Sequence, residues 1–491
     1  MPSSGRSQPN VFPFDAAPER RWVCISYAFP PIARSGTHRS LGFVRHLAEM
    51  GWSATVITAA PDGEPTDEAL CQRVPRSTRV FHAPQTDLIA ALKRRMGAPP
   101  AAARRSRVPA SDDHRRRTRC ALAALRECIS QLCITPDSRL GWVIPAVRAG
   151  LRAMRRAGHD VIFSTSPYAS AHLAALILSG LTRRPWVADF RDPWTGNPFR
   201  MSRTPMVERW DGFLERRVVR RASHLVFNTP TLTAHVRDRY GEVRGRCSTI
   251  LNGFDADLLA EVTPTRCVPE GTFLLTHCGQ FYGPRRPHPW FRALRAARAR
   301  APQSAARIRL ALVGPDHYDG RHLGDIARHE GVGELVLILG PRPHREALSL
   351  LAGSDAVVLA GADGPSADLQ VPNKLFEYLA LRKPILAAID FGNPAVQILR
   401  TAGADAVIRP PGDPEPLADG LLILAAPGRH ADPKAWTGAA RFERRHGARQ
   451  LRELFVRLTT RPRDRMRSVD AKPPDWNPAA SFPTGLTVHG G

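Results

Sequence analysis

No stretch of this chain stays apolar long enough to cross a bilayer. The best run, Ala169 to Leu181, is short and carries Ser170 and His172 inside it, whereas a spanning helix needs about 20 apolar residues. The opening MPSSGRSQPN has no apolar core of the kind that directs secretion, so a cytoplasmic chain is expected. Cysteine is sparse: the eight residues Cys24, Cys71, Cys120, Cys128, Cys133, Cys247, Cys267 and Cys278 form no C-x-x-C pair and no Cys/His ligand spacing. That argues against a disulfide framework or a structural zinc site. Acidic side chains are also short in number, 45 against 70 Lys and Arg, for a net charge of +25. Such a surplus suits anionic partners, nucleic acid or anionic lipid. Helix-turn-helix, zinc-finger and RNA-binding aromatic signatures are all missing, which makes nucleic acid the weaker of the two.

What is present is the make-up of a globular protein with more than one core: 491 residues, 43% hydrophobic and 23% charged. The basic excess has a local centre, where ten Lys and Arg between Lys93 and Arg119 are opposed only by Asp112 and Asp113. This segment reads as an insertion on the rim of a first domain, able to rest on an anionic membrane surface; a GC-rich genome with a merely solvated basic surface explains it equally well. Beyond it, Ala121, Leu122, Leu125, Ile129 and Leu132 recur at roughly helical spacing.

Residues 1–20 and 461–491, rich in Pro, Ser and Gly without periodicity, read as unstructured tails. Between them, short apolar runs alternate with amphipathic stretches, the pattern of parallel sheets wrapped by helices. Expected strands are Trp22–Tyr27, Ala54–Thr58, Asp160–Thr165, Pro185–Asp189, Leu225–Asn228 and Ser248–Leu251, then Phe273–His277, Arg309–Val313, Leu335–Leu339, Asp355–Ala360, Pro384–Ile389 and Ala406–Ile408. Helices are expected at Leu41–Met50, Pro289–Ala301, Arg321–His329, His344–Leu351, Asn373–Leu381 and Arg441–Leu458. The fold class is α/β, with two Rossmann-like units at 21–252 and 253–440 and a terminal helical stretch at 441–460.

Within VPNKLFEYLALRKPILA (Val371 to Ala387) a strand is followed by a loop, a first-turn proline at Pro372 and a helix from Asn373. Leu375, Phe376 and Leu379 share one face; Lys374 and Glu377, three apart, share the other and lean toward the open N-terminus. An anion there would meet amides, the positive end of the helix dipole and Lys374, while Glu377 could accept from sugar hydroxyls. An ordinary amphipathic helix with a surface ion pair is the alternative.

This segment resembles the P-G-K-x-F-E-Y-L-A element of family 4-like glycosyltransferases of the GT-B fold. Further resemblances follow in the family's order: YAFPPIARSGTHRSLGFVRHLAEMGWSATVITA, STSPYASAHLAALI, WVADFRDPWTGNP, LNGFD, HCGQFYGPRRP, LVGPD and LGPRPHREALSLLAGSDAVVLA. Together they span about Arg21 to Leu458. The resemblance implies two facing domains with a cleft between strand-end loops, an acceptor domain first and a donor domain second, and a crossing helix at 441–460 that returns to the first domain. It implies a hexosyltransferase-like enzyme serving polysaccharide, glycolipid or glycoconjugate synthesis, with a nucleotide-sugar donor as co-substrate and no other cofactor. The acceptor would be a hydroxyl compound, lipid-linked or not, and the enzyme cytoplasmic or peripheral on the inner face of the cell membrane.

Carried over residue by residue, the catalytic candidates are Glu377, Lys374, Arg285, His172 and Asp192, and the donor-binding candidates Gly36, Gly279, Arg286, Gly340, Arg342, Pro372, Asn373, Lys374 and Glu377. Relatives carry an Arg and a Lys near HCGQFYGPRRP; here Gln280 stands where an arginine is common, so the role passes to Arg285 or Arg286. For Arg191 and Asp192 a structural ion pair is as good a reading as acceptor binding. The first acid of the family's Glu-x7-Glu pair would fall at Leu369, with Asp368 one residue out of register. No Asp-x-Asp metal motif occurs at Asp189 to Asp192, so no metal is expected; retaining transfer is what the family resemblance implies. A sugar-nucleotide epimerase of the same fold, a basic nucleic-acid-binding protein and an inactive transferase-like scaffold remain alternatives.

Overall fold

The computed structural model describes residues 20–86, 131, 135–197, 204–362, 364, 367–429 and 433–460. The basic segment 93–119, the apolar stripe from Ala121 to Leu132 and the segments expected as tails, apart from Arg20, lie outside the described residues.

Seven parallel strands form the first sheet: β1 (Arg20–Ser26), β2 (Trp52–Ala59), β3 (Arg79–Ala83), β4 (Val161–Thr165), β5 (Trp186–Phe190), β6 (His224–Phe227) and β7 (Cys247–Thr249), in the order β3-β2-β1-β4-β5-β6-β7. The second holds β8 (Phe273–Cys278), β9 (Ile308–Val313), β10 (Val336–Gly340), β11 (Ala356–Ala360), β12 (Ile385–Ala388) and β13 (Ala406–Arg409), ordered β10-β9-β8-β11-β12-β13. Every strand of VIFST, WVADF and AVVLA is buried along its length, as sheets covered on both faces require. In each sheet the strand order reverses beside the first strand, β1 against β4 and β8 against β11. The loops at the carboxyl ends of those strands diverge and leave a crevice.

Helices wrap both sheets: α1 (Ser35–Glu49), α2 (Val143–Arg156), α3 (Ser170–Thr182), α4 (Pro205–Arg221) and α5 (Pro230–Arg239), then α6 (His288–Arg300), α7 (Leu323–His329), α8 (His344–Ala352), α9 (Lys374–Leu381), α10 (Pro394–Ala402), α11 (Pro414–Leu424) and α12 (Arg444–Thr459). Several boundaries differ from the sequence reading. Arg20 belongs to β1 rather than to a tail. α1 starts at Ser35, six residues before Leu41, because Thr37 Oγ1 bonds back to the Ile32 carbonyl at 2.6 Å and tightens a polar first turn. α9 starts at Lys374 with Asn373 as its cap, leaving Pro372 outside the helix. β3 was not expected: it is a half-exposed edge strand with an alternation too weak to read as one.

α12 returns to the first sheet. Its Phe455 ring packs 5.5 Å from Trp22, 5.4 Å from Trp52 and 6.3 Å from Phe163, completing the core around β1, β2 and β4. The LNGFD segment is the joint that makes this return possible. Asn252 Oδ1 accepts from Arg39 at 2.9 Å, and Phe254 exchanges backbone hydrogen bonds with Phe442 (3.1 Å) and Arg444 (2.9 Å). Asp255 gathers Arg444 (2.6 Å), Arg73 (2.9 Å) and His46 (3.4 Å) around one buried carboxylate. A Cβ on Gly253 would overlap the Phe442 carbonyl oxygen. Gly253→Ala is therefore expected to cost about 1–3 kcal/mol, read as a lower urea midpoint with an unchanged slope; an unaltered midpoint would refute the close approach.

Candidate functional site

β8 runs into Gly279, whose φ of +129° suits glycine, and α9 brings Lys374 over it. A Cβ on Gly279 would stand 2.6 Å from Lys374 Nζ, so the glycine leaves room for the ammonium. Nζ lies 3.4 Å from His277 Nε2, while His277 Nδ1 lies 3.2 Å from the Val358 carbonyl. A carbonyl can only accept, so the ring proton sits on Nδ1 and Nε2 is left to accept from Lys374. Burial, with the charge of Lys374 behind it, holds His277 well below the usual histidine range. Burial also lowers Lys374 to about 8, with Arg285 pushing the same way and Glu377 opposing.

Glu377 is one turn further along α9 and accepts at 2.8 Å from His344 Nε2, at the first turn of α8. Burial works against its charge, but the hydrogen bond and charge of His344 outweigh it and hold the carboxyl below its usual value. The His344 ring lies 4.6 Å from that of His38 on α1, tilted by 42°, so the contact crosses from one sheet's helices to the other's. Burial and the neighbouring His344 and Arg444 push His38 down to about 3, which keeps it neutral. Sequence reasoning gave His38, His344 and His277 no role. The partners of His344 and His277 lie 33 and 97 residues away in the chain, a pairing no local pattern could signal.

Of the two arginine candidates, Arg285 is half-buried and near enough to act electrostatically on Lys374, His277 and Asp192. Its Nη1 donates to the Tyr282 hydroxyl at 2.6 Å, and its guanidinium lies 5.3 Å from the centre of that ring. Arg286 is exposed. Asp192, at the carboxyl end of β5, is half-buried and has its pKa raised by burial, against Arg191 and Arg285. Gly36 leaves space for Arg191, whose Nη1 would stand 2.8 Å from a Cβ there.

Other candidates fall elsewhere. His172 is a core residue rather than a cleft residue: it is fully buried, hydrogen-bonded to Ser164 Oγ at 2.8 Å, with its ring 4.5 Å from Phe190. Burial lowers it to about 3. Gly340 closes β10 with φ +70°, and Arg342 beside it is turned back onto the Leu339 carbonyl (3.0 Å) and Glu346 (3.3 Å). Asp189 pairs not with Arg191 but with Arg39, at 2.7 and 3.0 Å, and accepts from Thr165 at 2.7 Å. Arg39 also binds the carbonyls of Ile250 and Leu251, so this pair ties β5 to the LNGFD joint. Among the described residues no cluster of three or more His, Cys, Asp or Glu could hold a metal ion, and no helix is long and apolar enough to cross a membrane.

The crevice thus brings together Lys374, His277, Gly279 and Arg285 on a positive side, and Glu377, His344 and His38 on a side that spans both sheets. The profile of Glycosyltransferase Family 4 matches residues 108–258, and that of Glycosyl transferases group 1 matches residues 272–426. D-inositol 3-phosphate glycosyltransferases of Streptosporangium roseum and Nocardiopsis dassonvillei are 26% and 30% identical over 202 residues, 39% of this chain. The matched region spans 44% of either relative, less than half its length. Anabaena HepE, solved in complex with UDP-glucose, superposes with a TM-score of 0.56 at 16% identity, over 89% of this chain and 99% of that one. With two parallel-sheet units and a family profile matched in each half, the chain belongs to the family 4-like glycosyltransferases of the GT-B fold.

Proposed function

We propose that this chain moves a sugar from a nucleoside-diphosphate donor to a hydroxyl acceptor with retention of configuration, and that α9 with the loop after β8 is the donor site. The observation that carries this reading is the Lys374 ammonium, held over Gly279 at the strand-order reversal with Arg285 nearby. As the bond from sugar to phosphate breaks, negative charge grows on the diphosphate and positive charge on the ring. Cations already placed at the phosphate lower that barrier, because the site does not reorganise when the charge appears. Lys374 and Arg285 supply the positive charge here. Glu377 faces the sugar or ribose hydroxyls and exchanges His344 for them, or holds both. The acceptor hydroxyl attacks from the face the leaving group departs, and its proton passes to the departing phosphate. Asp192, half-buried and raised in pKa, stands on the acceptor side.

HepE binds UDP-glucose, which makes uridine diphosphate sugars the first donors to try. The inositol phosphate acceptor of the sequence relatives and lipid-linked sugars are the two acceptor classes to set against each other, the second implying work at the inner face of the cell membrane. Thermal shift against a panel of nucleotide sugars is expected to give one or two specific stabilisations. Released nucleoside diphosphate should follow only when a suitable acceptor is added, and should persist in EDTA. A donor interconverted without any acceptor would point instead to an epimerase. Activity lost in EDTA and restored by manganese alone would overturn the assignment of leaving-group charge to Lys374 and Arg285.

A further inference from the structure

α4 is built inside out. Two of its three acids are buried: Asp211 accepts from Trp194 Nε1 at 2.7 Å, and Glu215 accepts from Thr195 at 2.5 Å and from the Tyr240 hydroxyl at 3.1 Å. Meanwhile Met206, Trp210 and Phe213, spaced four and three residues apart, are 55%, 44% and 48% exposed along one stripe. Trp210 and Phe213 stack on each other at 5.3 Å, with the Arg217 guanidinium 5.8 Å from the Phe213 ring. Five arginines of this helix, Arg209, Arg216, Arg217, Arg220 and Arg221, are exposed against one exposed acid, Glu208. Among the described residues only Arg220 of these five makes an ion pair, with Glu242. Beside the stripe a groove of about 550 Å³ is lined by three arginines, Arg209, Arg216 and Arg239, against one acid, Glu208, with Phe213 and Tyr240.

A helix selected only for solubility would do the reverse, sending carboxylates to water and aromatic rings inward. We propose that the outer face of α4 docks on an anionic phospholipid surface, with Trp210 and Phe213 entering the boundary between headgroups and acyl chains and Arg209, Arg216 and Arg217 meeting the phosphates. Each property of the face fits that occupant. Trp and Phe suit an interface that is apolar on one side and wet on the other. The unpaired arginines match a surface of opposite sign, and the groove gives a headgroup room beside the rings. This docking stands apart from glycosyl transfer, since the face shares no residue with the donor site.

The test is flotation of the full chain with vesicles of phosphatidylcholine alone or mixed with phosphatidylglycerol, at low and at physiological salt. Wild type should float with the anionic vesicles only, and less at higher salt. Neutralising Arg209, Arg216 and Arg217 to Gln should weaken binding about fivefold per residue, so about 100-fold together. Trp210→Ser with Phe213→Ser, which leaves the charge unchanged, should weaken it about tenfold or more. Both variants should keep wild-type donor stabilisation, which separates a failure of docking from a failure of the donor assignment. Should a variant not fold, brominated phosphatidylglycerol gives the same answer on intact protein: it should quench tryptophan fluorescence in wild type, and the quenching should be mostly lost in Trp210→Phe. Wild type remaining at the bottom, or the Ser double variant floating as wild type does, overturns the proposal. So does a wild-type dimer that the double variant turns into monomer without any vesicle binding.

Discussion

Lys374→Ala is expected to lower kcat/KM by about 100-fold or more, the effect of removing one preorganised donor from a developing oxyanion, and to raise the Kd for the bare nucleoside diphosphate by about tenfold or more. The fold should survive, because among the described residues the His277 imidazole is the one hydrogen-bond partner of the Lys374 ammonium. The lowered pKa of Lys374, about 8, adds a second readout with a definite sign. Below pH 8 the free enzyme already carries the ammonium. Above it the amine is increasingly neutral, and an arriving diphosphate raises the pKa and draws a proton back. Donor binding should therefore weaken as pH rises through 8 and be coupled to proton uptake there, measurable by calorimetry in buffers of different ionisation enthalpy. Lys374→Ala should show no such uptake. Equal proton uptake in both proteins, or unchanged kcat/KM in the variant, would remove Lys374 from the site.

The second large effect is expected at Asp255. Replacing it with Ala leaves Arg444, Arg73, Arg45 and His46 converging on an emptied site. Unpairing buried charge in this way costs on the order of 3–5 kcal/mol, visible as a large drop in unfolding midpoint. The pH dependence follows from the carboxyl being held well below 3.8, where Arg444 and the other cations outweigh burial. A depressed carboxyl contributes stability fully above its unfolded value and loses it as pH falls toward the folded one. Wild type should thus lose stability below about pH 4, and Asp255→Asn should be flatter across that acid window. A variant as stable as wild type, or one with the same acid slope, would show that the carboxylate does not hold the joint.

The strands were the most legible part of the chain. DVIFST, PWVAD and DAVVLA are short apolar runs bounded by turn residues, and sheets buried on both faces demand such runs. β3 escaped because an edge strand needs no apolar run: Arg79 and His82 face solvent. α3 escaped for the opposite reason, being so uniformly apolar that it was weighed only as a bilayer span, when it is buried against the first sheet. In the site, Lys374 and Glu377 could be paired from their spacing because helix geometry is local. His344 and His277 could not, since tertiary packing alone puts their imidazoles beside α9. The reading of His172 failed on burial: a histidine in a helix after a strand end looks the same in sequence whether it faces the crevice or the core, and here Ser164 and Phe190 enclose it.

The return of α12 has a consequence for how the protein is made. A ribosome delivers β1, β2 and β4 early, with the rings of Trp22, Trp52 and Phe163 already in place. The Phe455 ring that covers them arrives only with the last described helix. The second sheet and its helices, by contrast, are delivered as one uninterrupted block between Phe273 and Leu424. Domains usually finish in the order they emerge. In this chain the half synthesised first is completed last, and until then the rings of Trp22, Trp52 and Phe163 stand open to chaperones, to neighbouring nascent chains and to its own unfinished partner.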